Sequence, residues 1–408
     1  MKKKSEIFSA NIFRSLWLRH SENGGPGGLF LTKAGLMCLT ATAPWPWYFV
    51  HSAALVLSAI GCLLLIFQRR CYFRPLLLFW IIGATCILGC LSSLRHGFYQ
   101  AAFPDHYFFW LTLPLIHSLS SPDERPLLAN FVEREYLVLA LSTSAVVVFA
   151  SVAIFSTGFQ DSYLAAHTLS YKLRNEFSIR TGIHPPYFGM FALASIVFFI
   201  NRAYTEATFW VKALWTGLAS FLLISLVFLE TRIHLMALIA FFLLQPKYRW
   251  AGMMLLSILT LYIVLVPSTR FMEIVQNQKN SATLRAVSWQ CGWQVFQSKP
   301  WTGVGPLLQE DLNTCYLGRD PRLQNMNTHN QFLHLAAAHG FTGLLLFLGF
   351  WGAVLRMLRS ISSWLASANA LALFLFCLTE NVAERQWGTI MLGLFSAWLP
   401  YFKFEGQK

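Results

Sequence analysis

The sequence predicts an all-α, polytopic membrane protein of about twelve transmembrane helices with one large external loop late in the chain. Three observations carry this. Of 408 residues, 56% are hydrophobic, 16% aromatic and only 12% charged, whereas a water-soluble domain carries about 25% charged residues. So little charge cannot cover a soluble surface. Apolar runs near the about 20 residues that span a bilayer recur along the chain, and in lipid a helix satisfies its own backbone hydrogen bonds. The apolar runs are interrupted by one long polar stretch, residues 267–340.

Taken in order, a polar tail (1–28) ends in the flexible connector Gly24-Gly25-Pro26-Gly27-Gly28. Nine spans follow within 29–266: 29–45, 48–67, 75–94, 104–119, 135–157, 185–200, 209–229, 233–244 and 250–266. The segments 104–119 and 233–244 are short and read as partial or tilted spans. The loop 267–340 precedes the last three spans, 341–358, 364–380 and 387–402, and a short tail to 408.

The net charge of +13 has no basic domain behind it, which argues against nucleic acid as a partner. With the N-terminus placed in the cytoplasm, every short inside loop carries at least two cations, such as Arg69, Arg70 and Arg74, or Lys247 and Arg249. The positive-inside rule then puts both termini inside. The remaining cations gather in two external loops: Lys172, Arg174 and Arg180 in 158–184, and Arg270, Lys279, Arg285, Lys299, Arg319 and Arg322 in 267–340. Arg95, Arg232 and Arg385 stand at outer span ends. Long loops cross regardless of charge, so topology does not account for this group, whereas an anionic ligand at the outer face does. The eight cysteines form no C-x-x-C pair. Most, Cys291 included, read as small apolar filler, and Cys315 has no evident loop partner, so neither a zinc site nor an essential disulfide is expected.

Three stretches can carry chemistry. Glu230-Thr231-Arg232 interrupts an apolar run from Phe209 to Leu244. Arg232 either snorkels at a tight outer turn, paired to Glu230, or holds a phosphate, for which a permanently charged planar guanidinium is suited. Ser281 can cap a helix on which Arg285, Trp289, Gly292, Trp293 and Phe296 share a face. This helix ends at Lys299-Pro300, and Gly303-Val304-Gly305-Pro306 forms a turn. Finally, Asn327-Thr328-His329 leads into a short helix, about Asn330 to His339, followed by Gly340 and Gly343. His329, His334 and His339 fall on different sides of that helix, so their spacing is not that of a metal cluster. Among the external acids, which include Glu273, Glu380 and Glu384, there is no Asp-x-Asp or paired-carboxylate motif for a divalent cation, and G-x-S-x-G and phosphate-loop patterns are missing. An enzyme built this way needs no metal or cofactor.

These residues resemble the O-antigen ligases (the WaaL family) and their relatives, the O-antigen polymerases and O-oligosaccharyltransferases. The likeness lies in Thr231-Arg232 after a long apolar span, in Leu284-Arg285 with Trp289 and Ser298-Lys299-Pro300, and in His329-Asn330 followed by Gly340-x-x-Gly343. It covers residues 220–360 well and the first 180 only by hydropathy. The family has a small residue after the outer-face arginine, where this chain has Ile233 and His234. The resemblance implies a glycosyltransferase of GT-C-like architecture in the bacterial inner membrane, with its active site facing the periplasm. It implies a glycan donor on undecaprenyl pyrophosphate and lipid A-core as acceptor in lipopolysaccharide biosynthesis. On that reading Arg232 and Arg285 hold the pyrophosphate and His329 activates the acceptor hydroxyl, with Asn330, Arg385, Arg180, Arg174 and His234 as further substrate contacts. The rivals are a polymerase or protein-glycosylating enzyme using the same donor and, in another class, a secondary transporter of an anionic solute. A transporter would place its ionisable groups at the midplane of repeated halves; here they gather at one face and no internal repeat is evident.

Overall fold

The computed structural model describes residues 27–67, 77–95, 107–118, 125–157, 169–245, 249–265, 281–361 and 363–404. The predicted tail, most of the glycine connector, and the loop cations Arg270 and Lys279 with Glu273 lie outside the described residues. The described chain is helical throughout. In order the helices are α1 (Gly27–Thr42), α2 (Tyr48–Phe67), α3 (Leu77–Arg95), α4 (Tyr107–Ser118), α5 (Arg125–Thr157), α6 (Leu169–Thr181), α7 (Pro185–Thr205), α8 (Phe209–Phe228), α9 (Arg232–Leu244), α10 (Arg249–Leu265), α11 (Ser281–Ser298), α12 (Leu308–Arg319), α13 (Gln331–Ile361), α14 (Trp364–Cys377) and α15 (Gln386–Trp398).

Each of the twelve apolar segments falls on one of these helices. Among the described residues, four stretches are long and apolar enough to cross a membrane: Asn130–Thr157, Pro185–Thr205, Phe209–Phe228 and Gln331–Ile361. Four shorter apolar helices accompany them, including Arg232–Leu244. α4 has only 12 residues and carries Pro114 inside it.

Burial sorts the helices into centre and rim. From Pro185 to Phe199, α7 is buried on every side, as is α15 from Trp387 to Trp398. A helix apolar all round belongs in such a centre. On α8 the large apolar side chains point outward: Phe209, Trp210, Leu214, Ile224 and Phe228 are exposed, the inverse of a soluble surface and the pattern of a lipid-facing helix. Polar pairs also tie helices together inside the bundle. The Trp398 indole donates to the buried Glu135 carboxylate at 2.9 Å, and Tyr136 donates to the Ala194 carbonyl at 3.2 Å.

The loop is a small module with its own core. Cys291, Val295 and Phe296 of α11, Leu308, Leu312 and Tyr316 of α12, and Ala336–Ala338 of α13 enclose it. Two glycines make the close backbone crossing that shuts it. Gly303 and Gly340 have φ of 65° and 67°, a left-handed conformation open to glycine at no steric cost. A Cβ on Gly303 would lie 2.2 Å from the Ala338 carbonyl oxygen, and one on Gly340 2.4 Å from the Trp301 carbonyl carbon. Between them Val304 N–H donates to Ala337 and Phe341 N–H to Pro300. Gly340 also breaks α13, and Gln331–His339 before the break joins the two cores, with Ala336–Ala338 in the loop module and Leu335 in the bundle.

Two expectations are corrected here. Cys291 and Cys315 form a disulfide between α11 and α12. Cys291 is not filler: the turn at 303–307 folds α12 back along α11 and brings it to Cys315. The expected single face of α11 is also divided. Gly292 and Phe296 turn inward, Gly292 against Leu333 and Thr328, while Trp289 and Trp293 remain exposed.

Candidate active site

A cavity of about 360 Å³ opens where α6, α7, α9, α11, the segment before α13 and the segment after α14 converge. Its lining includes Arg174, His184, Glu230, Arg232, His234, Arg285, His329 and Glu380. The three residues expected to carry the chemistry therefore share one space, although they stand far apart in sequence.

Each arrives there for a local reason. Arg232 is the first residue of α9, after Thr231 at the N-cap and Glu230, whose φ of 48° makes the turn. The start of a helix presents unpaired N–H groups and the positive end of its dipole, a natural environment for an anion. Arg285 lies on the first turns of α11. His329 also has a φ of 48°; its N–H donates to Asn327 Oδ1 at 3.0 Å, and its carbonyl accepts the Trp289 indole N–H at 3.2 Å. The next residue, Asn330, caps α13 through its side-chain oxygen and the Leu333 N–H. This sharp approach holds the His329 ring out from the helix.

Glu380 ties the arms together. Its Oε1 accepts from Arg285 at 2.7 Å, and its Oε2 lies 3.2 Å from His329 Nδ1. The carboxylate is 8% exposed. Burial by itself would raise its pKa, but the hydrogen bond from His329 and the charges of His329, Arg285 and His184 outweigh that and hold it below the ordinary 4.5. An ionised carboxylate only accepts, so the bond to His329 requires the proton on Nδ1 when the ring is neutral. Nε2 is then the basic nitrogen.

The weaker candidates separate. Arg174 lines the cavity and donates to the Leu229 carbonyl at 3.1 Å. His234 lines it too, packed against Phe376 with ring centroids 4.9 Å apart and filling the space beside Gly189. Arg180 pairs with Glu176 at 3.3 Å, one turn back on α6, away from the lining. Arg385 is at the N-cap of α15, outside the lining. Asn330 acts through its cap, outside the lining.

Sequence reasoning missed Glu380, Asn381 and His184 as site residues. Asn381 is fully buried. Its Oδ1 accepts the Asn330 N–H at 2.8 Å and the Thr328 hydroxyl at 3.2 Å, while its Nδ2 lies 2.7 Å from His334 Nδ1. The available signal was the polar stretch Thr379-Glu380-Asn381 at the end of an apolar span. Its side-chain partners are 47 residues or more away, beyond any local motif.

In comparison with known proteins, residues 217–348 match a family model described as O-antigen ligase. That segment contains Arg232, Arg285 and His329; Arg174 and Glu380 lie outside it. No curated protein matches the chain.

Proposed function

We propose, from the match of residues 217–348 to an O-antigen ligase family model, that the protein is an O-antigen ligase of the bacterial inner membrane. It moves a glycan from undecaprenyl pyrophosphate to a sugar hydroxyl of lipid A-core, with inversion and without a metal, in a site that faces the periplasm. The observation that carries this reading is the chain Arg285–Glu380–His329 along one wall of the cavity that Arg232 also lines.

In this mechanism His329 Nε2 takes the proton of the acceptor hydroxyl while that oxygen attacks the anomeric carbon. The bond from the anomeric carbon to the pyrophosphate oxygen breaks, and the pyrophosphate leaves with the electron pair. Glu380 keeps the His329 proton on Nδ1 and stabilises the imidazolium that forms, as the carboxylate of a catalytic triad does. Arg232, Arg174 and the start of α9 offset the charge that grows on the leaving group. Arg285 binds Glu380 through one nitrogen, and the rest of its five-donor fork remains to address phosphate. Three arginines against two glutamates in the lining favour an anion.

The test is glycan transfer by purified protein with a lipid-pyrophosphate donor and lipid A-core acceptor. His329→Ala, Arg232→Ala and Arg285→Ala are each expected to lose about a hundredfold or more, and EDTA to change nothing. Wild-type rates in all three variants, or a Mg²⁺ requirement, overturn the mechanism. Lipid analysis of a deletion strain separates ligation from polymerisation. Loss of the ligase leaves long chains on the carrier and none on the core, whereas loss of a polymerase leaves core bearing a single unit.

A further inference from the structure

Beyond the cavity, α11 carries two parallel rows of exposed side chains. One is aromatic, Trp289 and Trp293, 39% and 51% exposed. They are four residues apart, about 6 Å along the helix axis. The row continues past the end of α11 through ring contacts. Trp293 packs at a tilt against Phe296 with ring centroids 5.2 Å apart, Phe296 meets Phe341 edge to face at 5.1 Å, and Phe341 packs at a tilt against Trp301 at 5.3 Å. Phe296 is buried beneath, while Trp301 and Phe341 are 75% and 38% exposed. The second row is Gln290 and Gln294, whose side-chain oxygens both accept from Arg319 of α12, at 2.6 and 3.2 Å.

The two ends of the aromatic row differ. At one end the Trp289 indole donates to the His329 carbonyl, beside the candidate base. At the other, Phe341 heads an outward stripe on α13 that continues through Leu345, Leu348 and Leu355, all exposed. An outward apolar stripe on a helix able to cross a membrane faces lipid. The row therefore links the bilayer edge to His329.

We propose that Trp293, Trp301 and Phe341, leading to Trp289, form the docking track for the saccharide of a membrane-anchored glycolipid acceptor, whose acyl chains stay against the Leu345–Leu355 stripe. This deepens the reading above and rests on it. A pyranose ring has an apolar C–H face that stacks on an indole and a rim of hydroxyls that need hydrogen-bond partners. Aromatic rings beside amides and a guanidinium supply both. A helix that merely floats on the bilayer has no need of a polar row parallel to its tryptophans, or of a tryptophan bonded to the base-bearing segment. The row also runs to His329, which addresses the acceptor, whereas the Arg232 side of the cavity is where the donor pyrophosphate sits.

The test compares wild type with the Trp293→Ala/Trp301→Ala double variant and the conservative Trp293→Phe/Trp301→Phe, in detergent, with two acceptors. These are intact lipid A-core and the acyl-free core oligosaccharide released from it. The alanine variant is expected to raise KM about tenfold for both acceptors, with kcat and donor KM within about twofold; the phenylalanine variant should recover most of the loss. A rise confined to the intact glycolipid reduces the row to a bilayer anchor and overturns the proposal. So do unchanged acceptor KM values, or parallel losses in kcat and donor KM, which report a structural fault. Calorimetric titration of the acyl-free oligosaccharide reads the surface without turnover. If wild type transfers no glycan yet binds the oligosaccharide, and the alanine variant does not, the ligase reading fails while the track stands. If wild type does not bind it, the track fails.

Discussion

Two histidines five residues apart, His329 and His334, are held by the same short segment, Glu380–Glu384, and engage it through different ring nitrogens. His329 gives its Nδ1–H to Glu380, and Nε2 has no bonded protein partner among the described residues. His334 accepts at Nδ1 from the Asn381 amide and meets Glu384 through Nε2 at 3.3 Å. Both of its nitrogens are used, so it has no lone pair left for a substrate. The same ring keeps an open nitrogen in one place and has both engaged in the other, and the difference lies in which partner takes which nitrogen. At His329 the carboxylate is buried and shared with an arginine; at His334 the amide of Asn381 also ties in the Asn330 N–H and the Thr328 hydroxyl and so fixes geometry.

The strongest way to break this contrast is Glu380→Gln. A glutamine can still accept one bond but cannot offset an imidazolium, so transfer should fall about a hundredfold or more while the protein remains folded. The same variant reports on pH. The Glu380 pKa is held below 4.5 in the folded state, so its stabilisation is fully present above pH 4.5 and is lost as pH falls through the lower, folded value. Melting curves of wild type and Glu380→Gln should therefore keep a constant gap above that pH and converge below it. A gap that grows in acid would contradict the ion-pair assignment.

Next in size is the disulfide. Cys291 and Cys315 close a loop with a sequence separation of 24, for which loop-closure entropy predicts about 3 kcal/mol. Cys291→Ser/Cys315→Ser should loosen the loop module selectively, seen as faster amide exchange in α11 and α12 with α7 and α15 unchanged. Equal exchange in both regions would mean that the module does not depend on the bridge. The smallest effect sharpens the His334 side. Asn381→Ala strands the Asn330 N–H, at about 1–3 kcal/mol, while the Thr328 hydroxyl keeps the Asn330 carbonyl as acceptor. It should lower kcat less than Glu380→Gln, with His334→Ala milder still. If Asn381→Ala proves the more damaging to kcat at full folding, the division between the two histidines is wrong.

Much of this arrangement was legible beforehand. Hydropathy marked the apolar segments, each of which lies on a helix, because an apolar run is a local property; it did not mark the polar helices α6 and α12. The resemblance singled out Arg232, Arg285 and His329, which share the cavity. What could not be read depends on pairing across the chain. Glu380 has no paired acid beside it because its partners are a histidine and an arginine 51 and 95 residues away. Arg180 reads like Arg174 in the sequence, yet six residues on a helix turn it to another side, where Glu176 takes it. Cys291 and Cys315 look unrelated until the glycine turn folds α12 back onto α11.

That bridge has a consequence for biogenesis. A disulfide persists only in an oxidising compartment, and this one joins the helix that supplies Arg285 to its neighbour in the loop. On the proposed topology the loop crosses the membrane reduced and is bonded afterwards. On that topology the helices are inserted while the protein is still immature, with its competence set by the cell's thiol-oxidising capacity rather than by translation alone.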